Sequence, residues 1–61
     1  MTDELRTFLK EKAGDLAAAS SACAEAKTAA NRFLAALGTA DETAAAEHFE
    51  KASLCNPADL W

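Results

Sequence analysis

Sixty-one residues with a net charge of −4 make one domain and no more. No basic stripe is present to neutralise phosphates, which disfavours nucleic acid as a partner. No stretch approaches the roughly 20 apolar residues of a membrane-spanning helix, and Met1-Thr2-Asp3-Glu4 is acidic where a signal peptide is basic. The expectation is a cytoplasmic protein, where two cysteines are ordinarily reduced. Ala occupies 17 positions and Val, Ile and Tyr none, so the composition favours helix over strand. An Ala-rich core buries little area, and so small a domain often needs a staple, a metal or a partner chain.

Three helices are predicted, over about 3–18, 22–37 and 40–55, folding as an all-α, up-down-up bundle in a single domain over 1–61. Thr2 caps the first, and Leu5, Phe8, Leu9, Ala13 and Leu16 form one apolar stripe at helical period. Lys12 lies at the stripe's edge and can snorkel outward. Gly14 weakens the helix by about 1 kcal/mol relative to Ala without ending it. Ser21 is the expected cap of the second helix, whose apolar face is Ala26, Ala29, Ala30, Phe33, Leu34 and Leu37.

Gly38 can take the left-handed conformation that closes a helix. Thr39-Ala40-Asp41-Glu42 then reads as a capping box opening the third helix. The short turn makes these two helices antiparallel neighbours. The third inward stripe is Ala45, Phe49 and Ala52, joined at its edge by His48 or Cys55, and Glu47 and Lys51 are spaced as an outward pair. Phe8, Phe33 and Phe49 are expected to meet in the core centre with Leu34 and Leu37, interleaving because their heights are close but not level.

Asn56-Pro57 ends the third helix. It also begins a cap, proline, acid sequence that starts a helix, yet Trp61 follows after only four residues. Two readings stand: a closing turn that lays Leu60 and Trp61 on the bundle, or the opening of a helix belonging to a longer chain. In the second case Leu60 and Trp61 form an interaction patch.

The run Ala45-Ala46-Glu47-His48-Phe49-Glu50-Lys51-Ala52, followed by Asn56-Pro57, resembles the second helix of a tetratricopeptide repeat through Ala45, Phe49, Ala52 and Pro57. The Trp-x-x-Leu-Gly-x-x-Tyr signature of that repeat's first helix is absent from residues 22 to 37, and a lone repeat cannot bury its faces. Residues 9 to 53 resemble the N-terminal half of a family of small proteins of anaerobic bacteria, sometimes labelled molecular chaperones, of unestablished function. Ser21-Ala22-Cys23-Ala24-Glu25-Ala26-Lys27-Thr28-Ala29-Ala30 and Phe33-Leu34, then Ala36-Leu37-Gly38-Thr39, carry that resemblance. The family's helix opens Ser-Cys-Cys and a cysteine cluster follows downstream; here Ala22 stands in the pair and the downstream half is missing. The resemblance implies a helical fold and brings no activity.

Cys23 is placed in the first turn of the second helix, where free N–H groups and the helix dipole stabilise a thiolate. Cys55 falls in the last turn of the third helix, at the same end of an up-down-up bundle. The two can meet as free thiols or as a bond that closes a loop of about 33 residues and adds roughly 3–4 kcal/mol. His48 lies about 10 Å along the helix from Cys55, too far to share a metal easily. No Cys-x-x-Cys or His-x-x-x-His spacing occurs. No metal, cofactor or enzyme constellation is read. Two functions remain: a structural or protein-interaction module, self-associating or bound to a protein partner, and a thiol-based redox or soft-metal protein using Cys23 and Cys55.

Overall fold

The computed structural model describes residues 2–56, and the fold is an all-α, three-helix bundle with no strand among them. Helix α1 spans Asp3–Ala18, α2 Ala24–Ala36 and α3 Glu42–Ala52, and α3 runs on into a 3-10 turn over Ser53–Cys55. Helix α2 is the centre, because α1 and α3 both pack on it and approach each other only weakly.

Helix α1 starts where its cap chemistry places it. Thr2 is extended, and its hydroxyl accepts from the Leu5 N–H at 3.1 Å. The helix runs through Gly14, where nothing crowds the backbone. Leu9, Ala13 and Leu16 are buried, but Leu5 remains 41% exposed and Phe8 45%, so Phe8 does not join the core as expected. The reason is angular: each residue turns the helix by about 100°, so a stripe centred on Leu9, Ala13 and Leu16 leaves Phe8 on its flank. There the Lys12 ammonium lies 5.9 Å from the Phe8 ring centroid.

The core centre is a pair of rings. Phe33 and Phe49 are wholly buried, with centroids 5.9 Å apart and planes within 6°. That separation with parallel planes is an offset stack, a favoured aromatic geometry. Ala29 and Ala30 bring the helices close around it, while Leu34 and Leu37 cover it only in part.

Helix α2 opens later than expected. Cys23, not Ser21, is its N-cap, and the first helical bond runs from the Lys27 N–H to the Cys23 carbonyl at 3.1 Å. Ala22 is buried against the core, which leaves Ser20 and Ser21 in the preceding turn, too far upstream to cap. Gly38 takes φ +80°, the left-handed conformation that ends α2.

Helix α3 begins at Glu42, two residues past the expected start, because the capping groups have other partners. The Thr39 hydroxyl donates to the Ala36 carbonyl at 2.6 Å and accepts from the Asp41 N–H at 3.2 Å. The Glu42 carboxylate reaches back to the Gly38 N–H at 3.3 Å rather than to Thr39. It also accepts a two-pronged contact from Arg6 of α1, at 3.0 and 3.2 Å. Glu42 is thereby buried with its charge paired. The inward face of α3 is accordingly Glu42, Ala46, Phe49 and Ser53; Ala45 and Ala52 lie at its edge and His48 is exposed. The ion pairs among the described residues join Arg6 to Asp3 and to Glu42, and the Glu47–Lys51 spacing yields none.

Candidate functional site

The element that brings reactive groups together is the junction of α2 and α3 at the end away from Gly38. Two different local structures deliver the two cysteines. Cys23 is extended at the α2 N-cap. Cys55 sits in the 3-10 turn that tightens the end of α3, where the Ser53 hydroxyl donates to the Phe49 carbonyl at 2.8 Å and the Asn56 N–H donates to Ser53 at 3.0 Å. The cysteines are joined as a disulfide with their Cα atoms 6.3 Å apart, 32 positions apart in sequence.

Their surroundings differ. Cys23 is half-buried and Cys55 exposed. The Cys23 N–H donates to Asn56 Oδ1 at 2.8 Å, and the Cys23 side chain makes no capping hydrogen bond to α2. The Cys55 sulfur lies 2.9 Å from the Ala52 carbonyl oxygen, and the Cys23 sulfur 3.8 Å from the same atom. In the bridged form these are contacts. Asn56 completes the junction, and its buried Nδ2 has no hydrogen-bond partner among the described residues.

The up-down-up order brings the two cysteines to one end and leaves free thiols and a bond both open, and it gives Asn56 no part there. In the sequence Asn56 reads as the residue before a proline and as the cap of a further turn, and its grip on Cys23 is a contact over 33 positions that no local pattern carries. His48 stands apart from the sulfurs, in a shallow groove between α2 and α3 with Thr28, Arg32 and Lys51. Among the described residues no three His, Cys, Asp or Glu side chains converge as a metal would require.

Leu60 and Trp61, read either as laid on the bundle or as an interaction patch, lie outside the described residues. Within them, the exposed large apolar side chains are Leu5, Phe8 and Leu54. No described helix is long and apolar enough to cross a membrane. Comparison with protein-family models, with curated proteins and with solved structures finds no match to the chain.

Proposed function

We propose that the chain is a protein-interaction module that pairs with a second copy of itself through α1. The observation that carries this reading is the flank of α1. Glu4, Phe8 and Lys12 follow one another at four-residue steps and so form one ridge. Phe8 is 45% exposed at its middle, with Leu5, 41% exposed, beside it. The ridge is acidic at one end and basic at the other. Antiparallel pairing about Phe8 therefore brings Glu4 of one copy against Lys12 of the other, twice over, around an apolar centre. That is the self-complementarity a two-fold interface needs. A 61-residue monomer buries a small fraction of its surface, and pairing raises it.

Sedimentation equilibrium at micromolar concentration tests this. The parent should sediment at twice its 6.4 kDa mass. Glu4→Lys or Lys12→Glu alone should give monomers, and the two together should restore the pair. A parent that is a clean monomer, or a double variant that stays monomeric while folded, contradicts the reading.

A further inference from the structure

We infer that the Cys23–Cys55 disulfide is a directional thiol–disulfide exchange site, at which a low-molecular-weight thiol attacks the Cys55 sulfur and Cys23 leaves as the thiolate. The inference is independent of pairing through α1.

Access and leaving-group stability point the same way. Cys55 is the exposed member of the pair, and Cys23 is half-buried behind it. An incoming thiolate must approach a sulfur opposite the one it displaces, so the exposed sulfur is the one attacked. The two departing thiolates would meet different electrostatics. Cys23 is the N-cap residue of α2, at the positive end of the helix dipole, and its side chain makes no capping hydrogen bond in the bridged form. Glu25 in the same turn opposes this, and Lys51 lines the groove that opens beside Ala24 and Ala52. Both sulfurs lie against the Ala52 carbonyl oxygen, an acceptor that favours a protonated thiol and repels an anion, and Cys55 is the closer, at 2.9 Å against 3.8 Å. Cys23 is thus the better leaving group and Cys55 the better resting thiol.

The chemistry balances in two steps. A thiolate RS⁻ attacks the Cys55 sulfur; the new bond joins R–S to Cys55, the Cys23–Cys55 bond breaks, and its electron pair goes to Cys23 as the thiolate. A second RS⁻ then attacks the R sulfur of that mixed disulfide. RSSR is released, and the Cys55 thiolate takes a proton from solvent and, as the thiol, donates a hydrogen bond to the Ala52 carbonyl oxygen. The protein disulfide is reduced by two electrons and two RSH are oxidised to RSSR.

Reduced glutathione serves as the probe on the folded, bridged, full-length chain, with acid quenching and alkylation of whichever thiol is released. Trypsin separates the cysteines, since Lys27, Arg32 and Lys51 lie between them. The expected product carries glutathione on Cys55 and the alkyl label on Cys23, exceeding the reverse isomer by on the order of tenfold. Reduced protein should likewise be alkylated faster at Cys23 than at Cys55 at neutral pH. Glutathione found mainly on Cys23, or no mixed disulfide while the chain stays folded, would overturn the assignment.

Discussion

The bundle closes its two ends by different means. At one, the α2 N-cap and the turn after α3 are joined by the Cys23–Cys55 bond, and Asn56 adds a hydrogen bond of 2.8 Å to the Cys23 N–H. At the other, Arg6 of α1 grips Glu42 at the start of α3, and the same carboxylate takes the Gly38 N–H of the turn. One end ties α2 to α3 covalently. The other ties α1 to α3, the two helices that otherwise scarcely meet. Glu42 also links the conformation of the Gly38 turn to the position of α1. The comparison teaches that a core made of one ring pair, two leucines and many alanines leaves the helix ends to be held by side-chain chemistry.

Removing each closure should break one end. Replacing both cysteines by serine should cost about 3–4 kcal/mol, the loop-entropy value for a closed loop of this length. Urea denaturation of the parent with and without reductant should show a similar gap. Arg6→Ala strands a buried carboxylate, and because the guanidinium side chain is itself 46% exposed the loss should fall near the low end for a charged hydrogen bond, about 1.5 kcal/mol. Added salt should weaken the parent's Arg6–Glu42 closure and leave the covalent one untouched. Glu47→Ala, on the exposed face of α3, should move stability by under about 0.5 kcal/mol. A larger effect there would place a third closure where no ion pair is found.

The residues that could be read without the fold were those whose type implies one job. Gly38 after a helical pattern means a left-handed turn, and it is one. Two cysteines at helix ends that an up-down-up order brings level are expected to meet. Glu42 was harder, because a capping box already accounted for it. Its partner Arg6 lies 36 positions away and off the apolar stripe, so no local pattern joins them. Phe8 misled for a related reason: a stripe drawn through Leu5, Phe8 and Leu9 is wider than one neighbouring helix can cover. Here α1 packs mainly on α2 and meets α3 only weakly, so Leu9 is covered and Phe8 is left on the flank. The Ser21 cap failed because burial of Ala22, a tertiary contact, outweighs a local hydroxyl preference.

Amide hydrogen exchange on the bridged protein, Arg6→Ala against parent, tests most directly whether the two ends are closed independently. The Gly38 and Ala45 N–H groups, bonded to Glu42 and to Asp41 at the α3 start, should exchange about tenfold faster in the variant, the equivalent of roughly 1.4 kcal/mol. The Cys23 and Lys27 N–H groups at the disulfide end should keep the parent's rates. Equal acceleration at both ends would contradict the account, since it would mean that the bundle opens as one unit and neither closure acts locally.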